Sequence, residues 1–312
     1  MHDEHVITLD CFGARCTIAL TNGAGAPLRA IAAASFLLEC HRRLSRFLPQ
    51  SELSRLNADP RETVPVSPLM ADFLGAARRA GEASDGLVDA TLLPALRDAG
   101  YSASLPDRDP GLLAPANAAG APAGADPASR WRGIDVDAGA GTVTRPPGLE
   151  IDSGGVAKGW AADRAAAILG DAPTLAVECA GDIRISGSAG AERRIAVTDP
   201  FDGSTIAELR LSDGGVATSG TGKRRWRNAD GTVGHHLIDP ATGRPCESGV
   251  VQATAIAPTA ELAEVRAKSA VLSGPDRAAE RLPDGGWIVL ADRTVAEVPS
   301  RDRRDAHEAV AA

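Results

Sequence analysis

One stretch constrains this chain more than any other: Ile151-Asp-Ser-Gly-Gly-Val-Ala-Lys-Gly-Trp-Ala-Ala-Asp163. A short apolar run, Leu149 to Ile151, meets Asp152 and then the pair Gly154-Gly155. Apolar spacing beyond it predicts an amphipathic helix to about Leu169. Glycines without a Cβ let the backbone approach a ligand closely. The helix start behind them offers unpaired N–H groups and a positive dipole end, which suit a phosphate. Lys158 adds a cation in the first turn, and Asp163 follows further along. An ordinary strand–turn–helix with a glycine hinge fits the same residues. The stretch has neither the GxxxxGK[ST] of a P-loop nor the GxGxxG of a dinucleotide fold.

The 312 residues allow one large domain or two closely packed halves, read here as a single domain over 1–299 with a polar tail over 300–312. Apolar residues make up 44% but aromatics only 3%, so the core must be built from Ala, Val, Leu and Ile. A net charge of −8 argues against a general nucleic-acid binder, whose affinity rests on basic surface. The five cysteines are Cys11, Cys16, Cys40, Cys179 and Cys246, with no CxxC among them, and read as free thiols in a reducing compartment. No basic n-region with an apolar h-region opens the chain, and no apolar run reaches membrane-spanning length. A cytoplasmic protein without a membrane anchor is expected.

Along the chain, Val6 to Leu9 and Arg15 to Leu20 read as strands around Cys11-Phe12-Gly13. Leu28 to Leu44 has helical spacing, with Leu28, Ile31, Ser35, Leu38 and Leu44 on the expected buried face, broadened by Phe36 and Leu37. Ser51 can cap a short helix, and Ser67-Pro68 opens another to about Ser84. Residues 110–129 hold fifteen Ala, Gly or Pro and read as a mobile surface loop. Trp131 to Asp137 with Thr142 to Arg145 reads as a hairpin. Strands follow at Leu175 to Cys179, Ile183 to Ser186, Arg194 to Thr198, Ile206 to Leu211 and Val250 to Ile256. Thr259 to Ser273 reads as a helix, and Trp287 to Ala291 with Thr294 to Val298 as a closing hairpin. Helices interrupt strands irregularly, so the expected class is α+β with mostly antiparallel sheets and flanking helices, not a regular βα alternation.

Four constellations stand out. Asp89 and Thr91 are polar within the apolar run Leu87 to Leu96; Asp89 either caps the next helix or faces a ligand. In His235-His236-Leu-Ile-Asp239-Pro-Ala-Thr-Gly243, a histidine beside a fixed turn can donate to phosphate, act as acid or base, or cap the turn. No second Cys/His pair with zinc spacing accompanies it. Ser219-Gly-Thr-Gly222 before Lys223-Arg-Arg225 reads as a small-residue loop, either an anion cradle or a plain turn. Glu264 and Lys268 share one helix face at i, i+4; by themselves they read as a surface ion pair of little energetic weight.

Six segments in order resemble the ApbE family of FAD:protein FMN transferases. They are Ser45-Arg-Phe47 with Ser51 to Asn57; Asp89-Ala-Thr91; Ile151 to Gly159 with Ala162-Asp163; Ala180-Gly-Asp182; Thr218-Ser-Gly220; and His236 to Gly243. The resemblance spans nearly the whole chain, from Phe12-Gly13 to the final hairpin. It implies an α+β fold of two halves with a flavin-nucleotide cleft between them. It also implies transfer of FMN from FAD to a Thr or Ser of a target flavoprotein, with release of AMP. FAD hydrolysis to FMN and AMP, or FAD binding without turnover, would use the same site.

Carried over by position, the resemblance places Phe12, Asp89, Ala90, Thr91, Gly155, Lys158, Asp163 and His236 against FAD. It gives His236 a part in accepting the acceptor's hydroxyl proton. It also implies a Mg²⁺ ion held by the Ala157 carbonyl and by the last long helix. There the chain departs from the family, which carries Asp, and Thr or Asp one turn on, where Glu264 and Lys268 stand. Glu264 can ligate Mg²⁺, but a charged lysine has no free lone pair. Lys268, paired with Glu264, is therefore expected where the metal would lie, neutralising the pyrophosphate. Thr221 and Gly222 also stand where many members are bulkier and more polar.

Overall fold

The computed structural model describes residues 4–104, 121–228 and 231–301. Its centre is an eight-stranded sheet of Glu4–Cys11, Ala14–Thr21, Leu175–Cys179, Asp182–Ser186, Gly214–Gly220, Val250–Ala257, Gly286–Leu290 and Val295–Val298, in that spatial order. Each strand pairs antiparallel with the one before it in the chain, so the sheet is a meander opened by long insertions. The antiparallel α+β class expected from the sequence is what the chain adopts.

The helices are α1 (Ala26–Leu44), α2 (Glu52–Ala58), α3 (Pro68–Ala83), α4 (Leu93–Asp98), α5 (Ala157–Leu169) and α6 (Ala260–Ser273), followed by a short turn of helix at Pro275–Ala278. Three of them follow the strand order. α1 lies on the first two strands, α5 on the next two, and α6 on Gly214–Gly220 and Val250–Ala257. α5 packs between α1 and α6, and α3 covers the helix layer. The expected helix starts are made, Ser51 accepting from Ser54 N–H and Ser67 from Met70 N–H, and Thr259 caps α6 by accepting from Leu262 N–H.

The sequence misplaces the buried face of α1. Ala26, Ala30, Ala33, Leu37, Cys40 and Leu44 are buried, while Leu28 is 73% and Ile31 54% exposed. Alanines let α1 settle close to the sheet and to α5, so the larger side chains turn outward. The small-residue loop expected at Ser219 to Gly222 is partly wrong: Ser219 and Gly220 end the central strand Gly214–Gly220, and only Thr221-Gly222 form the turn. A Cβ on Gly215 would lie 2.3 Å from the Ala260 nitrogen, so the absent side chain is what lets α6 begin directly on the sheet.

Of the expected mobile loop, 110–120 lies outside the described residues. The remainder, 121–129, is irregular but tied down rather than mobile: Ala123 N–H donates to Leu272 O at 2.8 Å and Gly124 N–H to Asp239 Oδ1 at 2.9 Å. The expected 131–145 hairpin is present as Asp135–Asp137 against Thr142–Thr144, with a 3₁₀ turn at Arg130–Gly133. All five cysteines are free and buried.

Candidate functional site

The Phe12-Gly13 turn, the Ala180-Gly181 turn and the end of the Gly214–Gly220 strand all fall at one end of the sheet, as the antiparallel registers require. The C-terminus of α1 and the N-terminus of α5 reach the same end. They enclose a cavity of about 370 Å³ where three apolar clusters meet, represented by Val156, Leu272 and Tyr101. A smaller polar cleft lined by Thr218, Ser219 and Lys223 adjoins it, sharing Gly154, Lys158, Arg224, His236 and Lys268.

A buried charge network separates the two spaces. Lys158, one residue into α5, places its Nζ 2.5 Å from Asp182 Oδ2 and 3.7 Å from Glu264 Oε1. Burial opposes the Lys158 charge, but the two carboxylates outweigh it and hold its pKa above the ordinary lysine value. Burial pushes Asp182 up to about 6 despite Lys158. Glu264 Oε2 accepts the Gly159 N–H at 2.9 Å, so a side chain of α6 satisfies a donor in the first turn of α5. Lys268 Nζ donates to the Gly155 carbonyl and lies 3.8 Å from Glu264 Oε1. Burial lowers the Lys268 pKa, with Glu264 opposing it. The surface ion pair suggested by i, i+4 spacing is therefore an interior one, with Glu264 1% and Lys268 8% exposed.

The other wall carries the aromatics of an aromatic-poor chain. Tyr101 stacks on Trp226 with centroids 5.1 Å apart, and the Arg46 guanidinium lies 4.3 Å from the Phe47 ring centre and 4.4 Å from that of Tyr101. Arg46 is held by Asp152 Oδ1 at 3.0 Å and by the Tyr101 carbonyl. Arg224 donates to the Phe12 carbonyl at 3.2 Å. Phe12, Ala180 and Arg224 all adopt left-handed backbone, at φ 55°, 55° and 49°. Such strain gathers where neighbours over-determine a conformation, as around binding sites.

Of the residues singled out from sequence, Phe12, Asp89, Ala90, Gly155, Ala157, Lys158, His236 and Lys268 line the cavity, and Glu264 lines the adjoining cleft. Two do not. Thr91 donates its N–H and hydroxyl to Asp89 Oδ1, holding that carboxylate in place. Asp163 accepts the Ala260 and Glu261 N–H groups, capping the start of α6. Sequence reasoning quoted Arg46 and Phe47 only as part of a matching segment, took Arg224 only as part of the basic run after the small-residue loop, and overlooked Tyr101 and the Trp226 stacked behind it. The clue available was the presence of a single Tyr beside a scarcity of Phe and Trp.

Asp89 Oδ2, His236 Nδ1 and Glu264 Oε1 are buried without hydrogen-bond partners among the described residues. Such atoms in a cavity wall are natural contacts for a polar ligand. Burial, then Arg224, Lys268, His235 and Lys158, hold the His236 pKa well below the usual value, so at neutral pH its imidazole is uncharged and keeps a lone pair. The apolar and aromatic wall suits a flat ring system, and the cationic cleft beside the α5 N-terminus suits phosphates.

A divalent metal fits the residues poorly. One Glu264 oxygen is taken by Gly159 N–H, and the other faces two ammonium groups.

Known proteins share this arrangement's sequence and fold. A sequence model of the ApbE family matches residues 12–286. The FAD:protein FMN transferase of Salmonella typhimurium is 33% identical over 261 residues, covering 79% of this chain and 71% of that protein. The FAD:protein FMN transferase of Escherichia coli (strain K12) is 29% identical over 253 residues, covering the same shares. The ApbE protein of Thermotoga maritima matches the fold with a TM-score of 0.79 at 26% identity, over 97% of this chain and 98% of that one. The matched span runs from the Phe12 turn through the Lys158–Asp182–Glu264 network to the last strands of the sheet, and the chain belongs to the ApbE family.

Proposed function

We propose that this protein transfers FMN from FAD to a Thr or Ser hydroxyl of a target flavoprotein and releases AMP. The observation that carries this reading is one continuous site with an apolar, aromatic wall at Phe47 and Tyr101 and a cationic cleft at Lys158, Arg224 and Lys268. The first suits the isoalloxazine and the second the pyrophosphate. In the reaction the acceptor oxygen forms a bond to the flavin-side phosphorus while the bridging P–O bond to AMP breaks. The hydroxyl proton passes to a base, and neutral His236 is the residue proposed for that role. Charge developing on the phosphate oxygens is stabilised by Lys158, Lys268 and Arg224. Magnesium has no step in this mechanism, because Lys268 stands beside the carboxylate that would hold it.

Phe12, Asp89, Ala90, Gly155, Lys158 and His236 are the proposed FAD contacts, with Thr91 and Asp163 acting through Asp89 and α6. The continuous sheet supports treating 1–299 as one functional unit. Among the described residues no helix is long and apolar enough to cross a membrane. Five free cysteines suit a reducing compartment, and the cytoplasm is the location proposed.

The test is to incubate the purified protein with FAD, with and without co-expressed candidate flavoproteins, and to read AMP release and acceptor mass. AMP appearing together with an acceptor gaining the mass of FMN is the expected result. AMP release with FAD alone and no modified acceptor would make the protein a FAD pyrophosphatase. Tight FAD binding with no AMP would make it a binding protein.

A further inference from the structure

We propose that α6 supplies its own cation: the Lys268 ammonium takes the place of a divalent metal at the pyrophosphate, and FAD binding is metal-independent. The inference rests on the proposed function and names how that site handles phosphate charge. Lys268 is anchored, since its Nζ donates to the Gly155 carbonyl in the glycine turn before α5. The missing Cβ at Gly155 makes room for it; a Cβ there would stand 3.1 Å from Nζ. The ammonium lines both the cavity and the polar cleft, so it faces the space where the two parts of the ligand join. It carries three donors; the carbonyl uses one, which leaves others for phosphate oxygens.

A magnesium ion needs oxygens at about 2.1 Å in near-octahedral geometry. The only Glu264 oxygen not accepting the Gly159 N–H lies 3.7 Å from Lys158 Nζ and 3.8 Å from Lys268 Nζ. A divalent ion there would sit between two like charges, and position 268 offers it no lone pair. Without the metal, two ammonium groups, Lys158 and Lys268, balance two carboxylates, Asp182 and Glu264, in the interior. The arriving pyrophosphate then meets cations already held in place.

Calorimetric titration of FAD into flavin-free protein, in EDTA and again in Mg²⁺, decides the matter. Wild type is expected to bind with dissociation constants agreeing within about twofold in the two buffers. Lys268→Met, which keeps the stem and loses the charge, is expected to weaken binding in EDTA by about tenfold or more. Lys268→Asp is expected to bind FAD only when Mg²⁺ is present, an effect that a purely structural role for the lysine would not produce. Lys268→Arg keeps the charge, is expected to bind in EDTA, and serves in place of any variant that fails to fold. A wild-type affinity that falls about tenfold or more on metal removal overturns the inference while leaving the transferase reading intact. Absence of FAD binding in both buffers overturns the transferase reading itself.

Discussion

Glu264 and Lys268 stand one turn apart on α6, carboxylate oxygen to ammonium 3.8 Å, and both are buried. On a helix surface such a pair contributes a few tenths of a kcal/mol. In the interior each charge is held by its neighbours: Glu264 by Gly159 N–H and the two lysines, Lys268 by the Gly155 carbonyl. The pair thereby joins α6 to the start of α5, and the cavity wall depends on that junction.

Removing the carboxylate leaves two interior ammonium groups with less negative charge beside them, chiefly that of Asp182. Glu264→Gln keeps the shape and an acceptor for Gly159 N–H. It is expected to destabilise the fold by about 3 kcal/mol, since breaking a buried pair from one side is costly. Urea denaturation of the flavin-free protein measures this, and unchanged stability would show the charges to be better hydrated than their burial indicates.

Gly159 is where α5 touches the start of α6. A Cβ there would lie 2.4 Å from the Ala260 carbonyl oxygen, which is backbone and cannot rotate away. Gly159→Ala is expected to cost about 1–3 kcal/mol through overpacking, despite alanine's better helix propensity. A lower urea midpoint at constant m-value is the expected signature; a gain in stability would contradict the close contact.

Asp163 illustrates a residue that influences a site from outside it. Its two oxygens accept the first N–H groups of α6. Asp163→Ala is expected to lose about 1–2 kcal/mol, the usual range for a lost helix cap. A variant as stable as wild type but unable to bind FAD would instead put Asp163 in direct contact with the nucleotide.

Asp89→Asn separates support from contact in the cavity wall. The change preserves the acceptor that holds Thr91 but replaces the unpartnered Oδ2 with a donor. FAD affinity is expected to drop by about tenfold, the size of one charged hydrogen bond, with the melting temperature close to wild type. Equal affinity for FAD in the two proteins would remove Asp89 from the contact set.

His235 gives a pH dependence of definite sign. Burial, then the nearby Arg225, lowers its pKa from 6.5 to about 4. The unfolded chain therefore binds the extra proton first, so this stability is present above pH 6.5 and is lost as pH falls from 6.5 through 4. His235→Gln is expected to flatten that part of the stability profile relative to wild type, as read by urea midpoints across the range. An unchanged difference between the two proteins at all these pH values would show that His235 does not titrate there.

Much of the fold was legible because it is written locally. The caps at Ser51 and Ser67 and the paired strands around Phe12-Gly13 and Ala180-Gly181 follow from residue types at fixed spacing. The glycine turn before α5, with Lys158 behind it, likewise marked where that helix starts. Where sequence reading failed, small residues were the cause. The alanine face of α1 and the strand Gly214–Gly220 are buried because neighbouring helices come close, and hydropathy registers neither.

The sequence by itself determined the order of strands and helices, the caps, the glycine turn and the identity of the charged groups. Only the tertiary structure decided which of those groups meet. Lys158, Asp182 and the pair Glu264 and Lys268 come from three separate segments, and Arg46, Tyr101 and Trp226 from three more. Spacing along a chain sets which residues share a face of one element. Whether that face meets water or an opposing charge depends on how the elements pack, and that difference turns an i, i+4 pair of negligible worth into the charged floor of a binding site.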